Sequence, residues 1–201
     1  MLFSQGYRTI TDATETLFKE KGSKFFAFAI PVKSEDDFKH ALQEIKDKYP
    51  DATHHCYALV MHPDKSFQKS SDDGEPSNTA GKPILRAIIS NDITNIAVIV
   101  VRYFGGTMLG VPGLISAYNK SALEALKKAT IQDIEIEDLY RLECSFIHES
   151  DAHRFIKKLE AKVTASSYEE NLILEFLLTR AKFDRIKTLQ GDFYFLKITP
   201  L

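Results

Sequence analysis

Cysteine is nearly missing from this chain: Cys56 and Cys144 are the only two in 201 residues, far apart and in apolar, strand-like contexts. A disulfide framework and a CxxC metal site are excluded, and buried reduced thiols are expected. Charge of one sign is missing too. The chain has 26 basic and 28 acidic residues, for a formal net charge of −2. They are evenly divided, 16 basic against 17 acidic up to Glu135 and 10 against 11 beyond it. A protein held to nucleic acid by bulk electrostatics would be strongly basic, so any RNA contact must come from a local patch. No signal points to DNA specifically. No apolar run reaches the roughly 18 residues that a membrane span needs. The opening Met-Leu-Phe-Ser-Gln-Gly lacks the basic segment and apolar run of a signal peptide, so the expected location is the cytoplasm.

Glycine and proline are scarce over most of the chain and crowded in one part of it. Six of nine glycines and four of seven prolines lie between Pro63 and Gly113. They fall in two stretches, Ser71 to Leu85 and Val98 to Tyr118, interleaved with Asp72, Asp73, Glu75, Lys82, Arg86 and Arg102. Glycine lets another group approach the main chain, and proline fixes the backbone without any contact holding it. Loops built this way on a rigid scaffold are where function usually sits. Asp73, Gly74, Glu75, Pro76, Gly81, Pro83, Gly110 and Gly113 are expected to shape these loops.

With 44% hydrophobic residues, the chain can bury a proper core. Tyr7–Ile10 and Lys24–Val32 read as strands. Ser34 caps a helix carrying Phe38, Ala41, Leu42, Ile45 and Tyr49 at helical spacing, and Pro50 ends it. His54–His62 is a strand, and Pro63–Pro83 shows no convincing periodicity. Pro83 opens a short helix through Ile88. The run Ile-Ala-Val-Ile-Val-Val within Asn95–Val101 reads as a strand buried on both faces. Pro112 or Gly113 starts the following helix. Residues Thr130–Asp138 read as an acidic linker. Beyond it come a strand (Tyr140–Ile147), a helix capped by Ser150, and a hairpin of Val163–Tyr168 with Asn171–Leu178. A helix ending at Gly191 and a strand over Phe193–Thr199 complete a βαββαβ order, the ferredoxin-like arrangement. The expected domains are 1–134 and 135–201.

Each candidate chemistry has a plainer alternative. The glycines after Arg102 lead from a buried strand to a helix N-terminus, where free N–H groups favour anions. The segment could grip a phosphate, with Arg102 and Lys82 as partners, or be a tight turn. Neither GxGxxG nor GxxxxGK[ST] spacing occurs, which disfavours a dinucleotide or triphosphate site. Asp72, Asp73 and Glu75 could hold a hard cation, but Asp-Gly and Glu-Pro are turn formers and the ligands do not converge, so no metal site is assigned. His54 and Cys56 share a strand face with His62, yet His54 and His62 would lie roughly 26 Å apart, too far for one zinc. A structural role, or a histidine bonded to the loop above, is expected instead. No serine sits in a Gly-x-Ser-x-Gly elbow, and no catalytic residue is assigned. Tyr103 and Phe104 could stack on bases or form the rim of the core.

Ser71-Asp-Asp-Gly-Glu-Pro-Ser77 with Thr79-Ala-Gly-Lys-Pro-Ile-Leu85, followed by Val101-Arg-Tyr-Phe-Gly-Gly106, Gly110, Gly113, Leu114, Ala117 and Tyr118, resembles the IMPACT (YigZ-type) family. Lys21–Phe26 and His54-His55-Cys56 fit the same pattern. The resemblance implies an α+β protein of two domains. One is an N-terminal domain like the second domain of ribosomal protein S5; the other is a ferredoxin-like C-terminal domain similar to the fifth domain of elongation factor G. It also implies a role in the control of translation. Two positions depart from the pattern: Asn78 stands where glycine is usual, and Val111-Pro112 where a small residue and glycine are usual. Proline offers no N–H, so an anion held on that amide would be lost here.

These readings converge on a translation regulator that binds RNA, the ribosome or a translation-associated protein, without a cofactor. The expected contact residues are Lys82, Arg86, Arg102, Tyr103, Phe104, Gly105, Gly106 and Lys120. The rivals are a metal-dependent enzyme or ligand binder using the same cleft, and a pure protein-interaction module.

Overall fold

Contacts divide the computed structural model, described for residues 5–201, into two units: Tyr7–Ile134, and Glu135–Leu201 together with Gln5 and Gly6. In chain order the first unit has β1 (Gly6–Ile10), β2 (Thr14–Glu20), β3 (Ser23–Pro31), α1 (Glu35–Lys48), β4 (His54–Met61) and β5 (Phe67–Ser71). It continues with α2 (Gly81–Ser90), β6 (Ile96–Tyr103), α3 (Gly110–Lys128) and β7 (Ile131–Glu135). Strands β2, β3, β6, β4 and β5 form one sheet in that order, with every neighbouring pair antiparallel. Strands β1 and β7 form a separate pair.

The apolar run in β6 is explained by cover on both faces of its sheet. Ile96, Val98 and Val100 pack in the core with Ile84, Ile88, Leu114 and Leu126 of α2 and α3. Ala97, Ile99 and Val101 pack in a second core with Phe38 and Ile45 of α1. Strand side chains alternate between faces, so Arg102 falls on the α2/α3 side. Helix α1 starts as its sequence dictates: the Ser34 hydroxyl accepts from the Asp37 amide at 3.1 Å, and the Asp37 carboxylate accepts from the Ser34 amide at 3.0 Å.

The second unit contains β8 (Glu137–Cys144), α4 (Glu149–Leu159), β9 (Lys162–Tyr168), β10 (Leu172–Thr179), α5 (Phe183–Gln190) and β11 (Lys197–Pro200). Its sheet order is β11-β8-β10-β9, all antiparallel, with Leu142, Phe155, Leu174 and Phe176 fully buried in its core. This is the split βαββαβ arrangement. Among the described residues, no helix is long and apolar enough to cross a membrane.

Several local expectations need correction. The acidic stretch Thr130–Asp138 is not a linker but β7 and the start of β8. Its alternating Ile-Glu pattern is that of a half-exposed strand. Phe67–Ser71 is a strand inside a stretch without periodicity, because an edge strand needs only one good face; β2 was passed over altogether. Helices α2 and α3 begin at Gly81 and Gly110, two residues before their prolines. The last strand starts only at Lys197, while Phe193 and Leu196 pack into the core.

One close approach fixes the end of the first unit that carries the glycine-rich segments. The β2–β3 turn, Lys21-Gly22, has φ values of +46° and +81°. Its backbone lies directly against Gly105, whose amide donates to the Ser23 hydroxyl at 3.2 Å. A Cβ on Gly105 would sit 1.9 Å from the Gly22 carbonyl carbon, whereas one on Gly106 would meet nothing within 4 Å. Gly105→Ala is therefore expected to cost about 3 kcal/mol in a urea titration. Gly106→Ala, at φ +80°, should cost only about 1 kcal/mol for its left-handed backbone.

Candidate functional site

The segment from Asp72 to Ala80 lacks regular structure, but its backbone is held at nearly every step. Asp72 accepts three amide hydrogens: Asn78 on one oxygen at 2.8 Å, and Ala80 and Gly81 on the other at 2.9 Å each. Its carboxylate thus does for the first turn of α2 what a capping side chain does, from eight residues upstream. Burial alone would raise its pKa, but the three amides and the nearby Lys82 outweigh that and hold it below the usual carboxylate value. Asp73 has φ +42° and accepts the His55 amide at 2.6 Å. Asn78 adopts φ +66°, a left-handed position that asparagine tolerates better than most residues. Gly81 has no room for a side chain, since a Cβ would lie 2.8 Å from the Ser71 nitrogen.

Beneath this loop lies a buried charged cluster. The Glu75 side chain is 3% exposed and that of Arg102 is 6% exposed. An Arg102 guanidinium nitrogen donates to Glu75 Oε1 at 2.5 Å, and the Tyr118 hydroxyl donates to the same oxygen at 2.8 Å. The guanidinium lies between the rings of Phe25 and Phe104, 5.5 and 5.7 Å from their centroids. The Cys56 thiol donates to the Asp72 carbonyl at 2.9 Å. Burial pushes both the Cys56 thiol and the Tyr118 phenol far up from their usual values, so both stay protonated as donors. His54 Nδ1 lies 2.7 Å from the Asp73 carbonyl. Since a carbonyl only accepts, that nitrogen carries the hydrogen, leaving Nε2 to face Glu75 at 3.8 Å. Strands β3, β4 and β6, helix α3 and the 71–80 loop each contribute a member.

Chemically, this cluster is a brace. Both oxygens of Asp72 and one of Asp73 accept backbone amides, and one oxygen of Glu75 takes a guanidinium and a phenol. Among the described residues, no group of three or more His, Cys, Asp or Glu side chains could hold a metal ion. Arg102 was expected as a surface contact, and this needs correction. It continues the inward-facing series Val98, Val100, Arg102 and is 5% exposed, so it cannot meet a phosphate or an acidic partner where it stands. Tyr118 and Cys56 were not expected in the cluster, whereas a structural histidine bonded to the loop above its strand was expected and is His54. Their signal was the i, i+2 spacing of His54 with Cys56 and of Val100 with Arg102, which puts charge and core on one face.

The other expected contact residues lie outside. Lys82, Arg86 and Lys120 are exposed, as are Phe104, Gly105 and Gly106; Tyr103 is half-buried against Phe26 and Tyr49. The Asn119 side chain donates to the Pro83 carbonyl at 3.1 Å, joining the first turn of α2, which carries Lys82, to the part of α3 that carries Lys120. Lys120 and Lys21 line one small hollow with Glu20 and Ser116. Beyond the Gly22–Gly105 contact, Lys24 shares a cleft with Tyr103 and Phe104. Lys21, Lys24, Lys82 and Lys120 have no ion-pair partner among the described residues. Arg86 lies one turn further along α2.

The class of protein is thus a two-unit α+β chain whose first unit carries a braced, glycine-rich surface. Residues 21–126 match the model of the Impact N-terminal domain. The IMPACT family member YigZ of Escherichia coli is 33% identical over 187 residues, 92% of either chain. YvyE of Bacillus subtilis is 33% identical over 162 residues, 81% of this chain and 71% of that one. A crystal structure of a protein described as hypothetical is 28% identical and covers 99% of this chain and 98% of its own, with a TM-score of 0.69. The chain belongs to the IMPACT family.

Two outcomes follow from the cluster. Arg102→Met or Glu75→Gln alone leaves a buried charge unpaired and should cost about 3–5 kcal/mol in chemical denaturation, with the double variant losing clearly less than the sum. Asp72→Asn should lose about 1 kcal/mol at pH 7. Because the folded carboxyl has the lower pKa, this contribution is fully present above about pH 4 and lost as pH falls through the folded value. The gap between wild type and variant should therefore close in acid, which a denaturation series across pH would measure.

Proposed function

We propose that this protein regulates translation by binding RNA, free or on the ribosome, through the exposed face made by the 104–113 segment, the β2–β3 turn, the first turn of α2 and α3 as far as Lys120. The observation that carries the reading is the group of exposed lysines Lys82, Lys120, Lys21 and Lys24, none of them in a salt bridge among the described residues, with Lys21 and Lys120 on one hollow and Lys24 beside Tyr103 and Phe104. In a chain with net charge −2, cations left without partners on one face form the kind of local patch that phosphate contact requires. Family membership supports translation as the setting, and the cytoplasm would be the place. Arg86 extends the patch along α2. Gly105 and Gly106 keep the surface beside Phe104 free of side chains.

The metal-dependent enzyme reading is less favoured, because both oxygens of Asp72 and one each of Asp73 and Glu75 already accept hydrogen bonds. In the RNA reading these residues shape the surface without touching the ligand.

Filter binding of purified protein to a ribosomal RNA fragment over a range of salt concentrations tests the proposal. Each phosphate contact on a single strand should contribute about −0.7 to the slope of log affinity against log salt. Lys82→Ala and Lys120→Ala should each make the slope shallower by about that amount, with unchanged melting temperature. Absence of binding at low salt, or binding indifferent to both substitutions, would refute the assignment.

A further inference from the structure

A cleft of about 320 Å³ is lined by Gly22, Lys24, Phe26, Tyr49, Tyr103 and Phe104. That volume is at the lower end of the range of about 300–1,000 Å³ typical of small-molecule sites. Four aromatic rings make its walls. Phe26 and Tyr49 lie 5.2 Å apart at 32°, and Tyr103 stands nearly edge-on to Phe26 at 6.1 Å and 81°. Phe104 forms the lip and is 49% exposed. The Tyr49 ring is held from behind, its hydroxyl donating to Glu15 at 3.0 Å, and Lys48 is taken by the same carboxylate at 2.9 Å. Lys24 is the only charged residue among those lining the cleft, and it has no ion-pair partner among the described residues.

An aromatic slot with a free cation at its mouth and no lining carboxylate suits a flat π-system that carries a neighbouring negative charge. The other exposed lysines, Lys21, Lys120 and Lys82, suit repeated charges along a strand. Two carboxylates stand near this surface: Glu20 lines the hollow that holds Lys21 and Lys120, and Glu15, behind the Tyr49 ring, is taken by the Tyr49 hydroxyl and Lys48. We infer that the cleft receives a single unpaired base of a single-stranded RNA, stacked against Phe104 and Tyr103, with its flanking phosphate on Lys24. The inference rests on the RNA-binding reading and narrows it: a duplex would reach the lysines but could not fill the slot, because its bases are already stacked and paired. Base–aromatic stacking tolerates any base, so little sequence preference is expected.

The test uses the full chain and three labelled oligomers of equal length: single-stranded RNA, the same RNA in duplex form, and a single strand with abasic positions. Single-stranded RNA should bind about 10-fold tighter than the abasic strand, and Phe104→Ala should remove most of that difference. Because Phe104 also covers Arg102, Phe104→Trp is the second variant. The chain has no tryptophan, so the new indole is a unique fluorophore. It should keep the affinity and be quenched by base-bearing but not by abasic strands. Equal affinity for base-bearing and abasic strands would overturn the base site alone while leaving phosphate binding intact. Competition by poly-glutamate as effective as by RNA would overturn it in favour of an acidic protein. Failure of every oligomer to bind at low salt would overturn the RNA reading as well.

Discussion

A carboxylate and a guanidinium almost wholly removed from water set the conditions at the working end of the first unit. Taking Glu75 and Arg102 out of solvent is expensive, and their attraction offsets that cost only if the remaining hydrogen-bonding capacity is also used. Here the Tyr118 hydroxyl shares the accepting oxygen and the rings of Phe25 and Phe104 lie against the guanidinium, while Arg102 Nε is left without a hydrogen-bond partner, so the match is incomplete. These partners come from distant parts of the chain: strand β6, helix α3, strand β3 and the loop itself. The pair can form only when all of them have docked. It therefore ties the conformation of the 71–80 loop to the sheet and to α3, while Asp72 ties that loop to the start of α2. A glycine- and proline-rich loop of this length would otherwise carry a large conformational entropy.

The brace divides the charged residues into two populations. Those inside are matched with each other and removed from ligand contact. Lys21, Lys24 and Lys120, by contrast, lie outside with no ion-pair partner among the described residues, and Lys82 has only the nearby Asp72. Apolar exposure follows the same division: Phe104, Met108 and Val111 are 49%, 78% and 53% exposed in the segment that runs into α3. A surface that combines exposed cations with exposed apolar groups would suit a partner that is both charged and flat-faced. The RNA strand proposed here has both properties.

Much of this architecture was legible because burial writes itself into sequence. The unbroken Ile-Ala-Val-Ile-Val-Val run allowed only a strand covered on both faces, and Ser34 followed by three acidic residues allowed only a helix start. The βαββαβ order of the second unit came from periodicity alone. The failures share a cause. An edge strand such as β5 and a half-exposed one such as β7 need only one apolar face, so both resembled loop or linker. Arg102 was misplaced because charge was read as exposure, although its register after Val98 and Val100 pointed inward. Its partner could not be read from sequence, since Glu75 lies 27 residues away and meets it only through the fold of the loop.

Amide hydrogen exchange on wild type and Glu75→Gln, compared residue by residue, would test most directly whether this pair organises the site. Exchange should accelerate at Asn78, Ala80 and Gly81, whose hydrogens bond Asp72, and at Gly105, while Val98 and Val100 at the centre of the sheet remain protected. Uniform protection across both regions in the variant would contradict the account, because the loops would then hold their shape without the buried pair.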